Sequence, residues 1–212
     1  MKLIQYIILI ILMSASFAGF SQDPQFSQSY NATQFVGPSF AGTSEGGRAM
    51  FNNRWHFPLT GLAYTTYSGS IDWVYKEKSG FGFLVQLDEQ SNFRFATALT
   101  AGQYAFNIPL GLFNLSLGLQ GSFYRQQYNY NKLLFPDQID YKADIIYDTP
   151  QFFDYTPMPV KMYFDAASSI LLYSKQMMIG VFGDHLTRPN ISHTERNIRE
   201  PIKTSLFLAY KY

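Results

Sequence analysis

The sequence predicts an all-β protein, an antiparallel outer-membrane β-barrel with about eight strands present. Three observations carry this. The first is a long period-2 pattern from Leu112 to Gln126. Phe113, Leu115, Leu117, Leu119 and Phe123 fall on one face, and Asn114, Ser116, Gln120, Ser122 and Tyr124 on the other. Alternation of this length marks a strand with one apolar and one polar side, and it exceeds the roughly 5–6 residues usual in globular strands. The second is composition. Charged residues are 15% of the 212-residue chain and aromatics 18%, while hydrophobic residues reach only 47%; ordinary soluble domains carry about 25% charge. The third is that short and long links between candidate strands alternate, the habit of barrels with tight turns at one rim and long loops at the other.

The elements follow in order. Met1-Lys2, the apolar run Leu3–Met13 and the small residues Ser14, Ala15, Ser16 and Ala18 read as a secretory signal peptide over 1–21. That apolar run is shorter than the roughly 20 residues of a spanning helix. Residues 22–46 read as an N-terminal extended segment with two prolines and few charges. Residues 47–212 read as the barrel domain. Its strands are expected at Arg48–Phe57, Leu62–Tyr75, Phe81–Asp88, Phe93–Phe106, Leu112–Gln126, Tyr163–Tyr173, Met177–His185 and Ile202–Tyr212. Lys76–Gly80, Asn107–Gly111 and Ser174–Gln176 read as short hairpin links. Gln127–Pro159 and His185–Pro201 read as long ones. No amphipathic helix follows the signal peptide.

A barrel is favoured over a secreted two-sheet sandwich by the chemistry of the two faces. In hydrocarbon every backbone N–H and C=O must be paired, so β-structure spans a bilayer only when its edges close. Such a wall is apolar outside and polar inside, which gives low charge and moderate hydropathy without a conventional core. A sandwich needs a second apolar layer, and the polar faces here are rich in Gly, Ser, Gln and Asn. Tyr64, Tyr67, Trp73, Tyr75, Tyr104, Phe106, Tyr163 and Tyr173 lie near expected strand ends, where interfacial aromatic girdles occur.

Catalytic and cofactor signatures are weak. Sixteen basic against fifteen acidic residues give a net charge of +1, which speaks against nucleic acid, and zero Cys removes thiol catalysis and Cys metal sites. His56, His185 and His193 match no metal-ligand spacing. His185 and His193 share a link with Asp184 and Glu195, which reads first as a solvated loop. Ser168 or Ser169 with His185 is conceivable as a hydrolase pair, but no GxSxG elbow supports it. Gly80-x-Gly82 lacks the third glycine and following helix of a phosphate cradle. Asp137 and Asp140 read as turn residues before they read as an acid–base pair. The chain is therefore expected to be no enzyme and to carry no cofactor and no metal.

A family resemblance enters at Gln22-Asp23-Pro24-Gln25-Phe26-Ser27-Gln28-Ser29-Tyr30. Directly after a signal peptide, this resembles the mature start of the PorP/SprF family of type IX secretion system membrane proteins from Bacteroidetes. Gly37-Pro38-Ser39-Phe40-Ala41-Gly42-Thr43 resembles the family's NPAFAGT element, with Gly37 in place of its Asn. Arg48 through Asn52-Asn53-Arg54-Trp55, Thr65–Asp72, Lys132–Asp140, Asp165–Ser174 and Gly180–Pro189 resemble further elements in order. Family members are commonly longer. The resemblance therefore leaves two readings of the barrel, a shortened version of a larger family barrel or a smaller closed one of eight strands.

The resemblance implies an outer-membrane barrel that supports export or surface attachment of cargo, including gliding-motility adhesins, by protein binding. Its implied partners are other type IX apparatus proteins, secreted cargo or adhesin, and outer-membrane lipid. A small porin or ligand-binding barrel is the alternative. Candidate partner-docking residues are Asp23, Pro24, Phe26, Tyr30, Pro38 and Phe40 in the N-terminal segment, and Phe135 and Asp137 in the 127–159 link. The N-terminal segment reads equally well as a plug packed onto the barrel.

Overall fold

The computed structural model describes residues 31–44, 46–57, 63–76, 78–90, 95–129, 138–140, 145–146, 159–194 and 196–210. A one-turn helix (Thr33–Val36) and a 3-10 turn (Pro38–Phe40) precede the strands. These are β1 (Gly47–His56), β2 (Tyr64–Tyr75), β3 (Ser79–Gln90), β4 (Phe95–Leu110), β5 (Phe113–Tyr128), β6 (Ile139–Asp140), β7 (Ile145–Ile146), β8 (Val160–Tyr173), β9 (Met177–Asp184) and β10 (Lys203–Tyr210). Eight of them form one curled antiparallel sheet in the order β1-β2-β3-β4-β5-β8-β9-β10, and β6 and β7 pair separately as a small hairpin.

All eight expected strands are present. Their alternation sets the register: a slip of one residue would turn every apolar side chain onto the polar face. On β5, Phe113, Leu117, Leu119 and Phe123 face outward and are exposed, while Ser116, Gly118 and Ser122 face inward and are buried. β2 behaves alike, with Tyr67, Ile71 and Trp73 outside and Thr66, Ser68, Ser70 and Asp72 inside. A single sheet that curls around its polar face, with its apolar face outward, is the arrangement of a membrane barrel wall and excludes the two-layer sandwich. Among the described residues β1 bonds only β2 and β10 bonds only β9, so the eight strands form an open wall rather than a closed ring.

The link between β4 and β5 is shorter than expected. Asn107–Leu110 continues β4 instead of forming a turn, pairing with Asn114, Leu115 and their neighbours. Gly111 at φ +70° then makes the tight turn. Pro109 sits at the strand's end, where a missing N–H costs the ladder least. No helix of the described residues is long and apolar enough to cross a membrane, which leaves strands untouched as a means of crossing.

The outer aromatics form a row at the short-turn rim. Phe81 lies 6.0 Å from Trp73 and 5.3 Å from Tyr104, ring centre to ring centre. Tyr64, Tyr67, Tyr75 and Phe106 are also exposed, but Tyr163 and Tyr173 belong to the inner face of β8 and leave the expected girdle. Tyr163 stacks on Tyr124 at 5.0 Å instead.

A charge on the outer face tests this orientation. Leu119 is 63% exposed in mid-strand. Leu119→Arg is expected to cost about 2–4 kcal/mol in lipid, the usual penalty at the bilayer midplane. Arg at the neighbouring inward Gln120 is expected to cost much less. Urea unfolding of both variants in phospholipid vesicles measures the difference, and equal costs would refute the assignment of faces.

Candidate functional site

The concave side of the sheet is filled at one level by residues 31–44. Gly37 ends the helical turn, donating its N–H to Thr33 O at 3.2 Å, and Pro38 opens the 3-10 turn with its φ already restrained. Four residues are too few for periodicity to announce a helix, which is why none was expected there. Ala32, Gln34, Pro38, Ser39, Phe40 and Ala41 are all buried against the wall.

Close approach of backbone to wall explains two inward glycines. A Cβ at Gly118 would stand 2.1 Å from Ser39 N, and one at Gly80 would stand 2.1 Å from Ala41 O. Gly42, at φ +67°, lies against Gly80. The wall then grips the segment by its main chain. Ser39 N–H donates to Ser169 Oγ at 2.8 Å, and Ser116 Oγ donates to Ser39 O at 2.7 Å. Gln103 Nε2 donates to Gln34 O at 2.7 Å. Gly42 N–H donates to Asp72 Oδ2 at 2.9 Å. Arg48 links both sides: its Nε donates to Asp72 Oδ1 at 2.9 Å and its Nη2 to Phe40 O at 3.1 Å. The Asp72 side chain is fully buried and that of Arg48 a quarter exposed.

Two side chains anchor the segment. Phe40 stacks on Phe182 at 5.8 Å and meets Phe207 edge-on at 5.3 Å, in a cluster with Leu171. Phe35 packs on Leu84, Leu99 and Ala101. The polar side chains contribute far less: Thr33 Oγ1, both amide atoms of Gln34 and Ser39 Oγ are buried without a hydrogen-bond partner. Each such group costs about 1–3 kcal/mol when it stays dry, so the seat holds a main chain with two rings rather than a particular polar sequence.

Beyond the plug lies a cavity of about 580 Å³. It is bounded by Gln34, Phe35 and Gly37 of the plug, by wall side chains such as Gln86, Asp88, Gln120 and Tyr124, and by Ile191 and His193 of the 185–201 link. That link is an ordered hairpin rather than a solvated loop. Asn190 bridges Arg199, and Asn190 Oδ1 accepts from the N–H groups of Ser192 and Ile198, each at 3.1 Å. Its first residue, His185, is buried with φ +58°, and its Nδ1 bonds Asp165 Oδ2 at 2.5 Å. Thr187 Oγ1 donates to Asp165 Oδ1 at 2.7 Å and Leu186 N–H to Ala166 O at 3.0 Å, pinning the corner to β8. The serine candidates are placed elsewhere. Ser169 holds the plug and Ser168 lies on the outward side of β8. Among the described residues no three His, Cys, Asp or Glu side chains converge as a metal site would require.

The family model for Type IX secretion system membrane protein PorP/SprF matches residues 18–212. The chain belongs to this family. No curated protein and no solved structure matches it significantly. As a PorP/SprF protein it is a membrane component of the type IX secretion system, and its all-β wall is consistent with residence in the outer membrane. Of the docking residues read from the sequence, Pro38 and Phe40 are buried in the plug seat. Asp23, Pro24, Phe26, Tyr30, Phe135 and Asp137 lie outside the described residues, as do the signal peptide and most of the 127–159 link. Sequence reasoning on this PorP/SprF chain missed Asp72 with Arg48. The signal was there, since Asp72 is a lone charge on the polar face of β2, and Arg48 sits directly opposite it in the β1–β2 register.

Proposed function

We propose that this PorP/SprF protein supports export or surface attachment of type IX cargo, including gliding-motility adhesins, by binding polypeptide and without catalysis. It reaches the outer membrane through a cleaved signal peptide over residues 1–21. Its partners are other apparatus proteins, cargo and outer-membrane lipid. The observation that carries this reading is on the inner face: Asp72, Gln103, Ser116 and Ser169 bond the main chain of a polypeptide segment. Residues Asp23–Tyr30 precede that seated segment and, with Phe135 and Asp137, are the proposed docking elements. Pro38 and Phe40 act as their anchor. Deleting the gene is expected to remove specific proteins from the cell surface while leaving other outer-membrane proteins in place. A surface proteome unchanged by mass spectrometry would sink the proposal.

A second reading, a small porin or ligand-binding barrel, draws on the cavity of about 580 Å³ lined by glutamines and tyrosines. Steady single-channel conductance of refolded protein in planar bilayers would favour it over the first.

A further inference from the structure

We propose that the wall groups holding residues 31–44 form a peptide-binding seat, occupied in cis by the plug. In trans the seat accepts a low-charge segment of another polypeptide that takes the same helical-turn and 3-10 conformation and carries two aromatic residues five positions apart. This rests on the preceding reading only for where such a polypeptide comes from, since the seat itself is read from geometry.

Three features of the seat point this way. Its hydrogen bonds run from wall side chains to main-chain N–H and C=O groups. Ser116 and Ser169 bracket Ser39, Gln103 takes Gln34 O, and Asp72 takes Gly42 N–H. Every peptide presents such groups, so the contacts do not require this sequence. Selectivity comes from two apolar pockets, one for Phe40 among Leu171, Phe182 and Phe207, and one for Phe35. Their separation in the chain defines the spacing that a competing segment must match. A glycine three positions before the second aromatic is favoured too, because a Cβ at Gly37 would stand 2.1 Å from the Phe182 ring.

The third feature is an imperfect fit. Gln34 is 1% exposed, lines the cavity, and has neither amide atom hydrogen-bonded. Gln103 Oε1 beside it is also unpartnered. A segment selected solely to fill this seat permanently would carry an apolar residue there. A ligand that places a donor against Gln103 Oε1 satisfies the wall amide oxygen that the plug leaves unpaired, and competes with the plug on favourable terms.

The test uses the full chain refolded in detergent, with a fluorescent synthetic peptide of residues 31–44 as probe. In the wild-type protein the tethered plug outcompetes the probe through its high effective concentration. Phe40→Asp unseats the plug from its own side and leaves the wall intact, so the probe is expected to bind this variant at least tenfold more tightly than wild type. Adding Ser116→Ala and Ser169→Ala to that background is expected to weaken binding at least tenfold. So is a probe with alanine in place of both phenylalanines. Heat-modifiable migration on gels establishes that each variant is folded. Gly42→Val, whose side chain collides with Gly80, is a second way to unseat the plug and carries the same expectation should Phe40→Asp not fold. Folded, unseated protein that binds no more tightly than wild type would overturn the proposal, as would equal binding of the alanine probe. The assay contains no secretion apparatus, so an export phenotype that fails to appear leaves its outcome unaffected.

Discussion

Gly118→Val is expected to expel residues 31–44 from the sheet. The new Cβ would fall 2.1 Å from Ser39 N, against backbone on both sides, with no flexible side chain able to move away. Overpacking of well-fitted interiors costs about 1–3 kcal/mol, and a backbone-to-backbone clash belongs at the upper end, about 3 kcal/mol. The strands themselves keep their ladders, so the loss is local. Chymotrypsin reads it directly: Phe35 and Phe40 are buried or half-buried in the seated plug and become cleavable when it leaves. Cleavage at Phe40 is expected to quicken severalfold, while β-sheet circular dichroism is unchanged. As a control, Gly102→Val, where a Cβ meets nothing within 4 Å, is expected to leave the cleavage rate alone. Equal rates for both variants would mean that the plug does not depend on this contact.

Asp72→Ala is expected to destabilise the wall where β1 meets the plug. Asp72 accepts from Arg48 through both carboxylate oxygens and from Gly42 N–H, with its side chain wholly buried. Removing one partner of a buried pair costs about 3–5 kcal/mol, because the other charge is left uncompensated. Arg48 is 25% exposed and recovers part of that from water, so about 2–3 kcal/mol is expected. Asp72→Asn keeps shape and one acceptor and should cost less. The double variant Arg48→Met with Asp72→Ala should recover part of the loss, because no charge is then stranded. Urea unfolding midpoints of wild type, Asp72→Ala, Arg48→Met and the double variant form a cycle, and strictly additive effects would show that the pair is not coupled. The coupling should also survive high salt, since buried pairs are screened far less than exposed ones.

The strands were legible because period 2 is a direct physical record of a two-sided wall. On β5 the apolar set read from the sequence faces outward and the polar set faces inward. The plug was legible only as one of two equal readings of the N-terminal segment. A one-turn helix and a 3-10 turn leave no period, and its burial depends on Gly80 and Gly118, which are far along the chain from Ala41 and Ser39, being close to them in space. Gly80 and Gly118 were visible as small residues on polar faces, but nothing local says what rests on them. His185 misled for a related reason. It follows a strand and opens a polar link, which is the composition of a solvated loop, yet Asp165 on the adjacent strand draws it inside. The paired Tyr124 and Tyr163 rings show the limit of end-of-strand reasoning: aromatic position along a strand is readable, but its side depends on parity. Asp165, on the same face as Tyr163, already fixed that parity.

One residue of the plug touches both margins of the wall. Phe40 receives Arg48 of β1 through its carbonyl and lays its ring on Phe207 of β10. These are the first and last strands of the sheet, and no described strand joins them. Phe40 therefore works as a tie rod across the mouth of a horseshoe. Opening of the horseshoe is thereby coupled to the plug: straightening the wall pulls the rod from one anchor, while the ladders between strands persist without it.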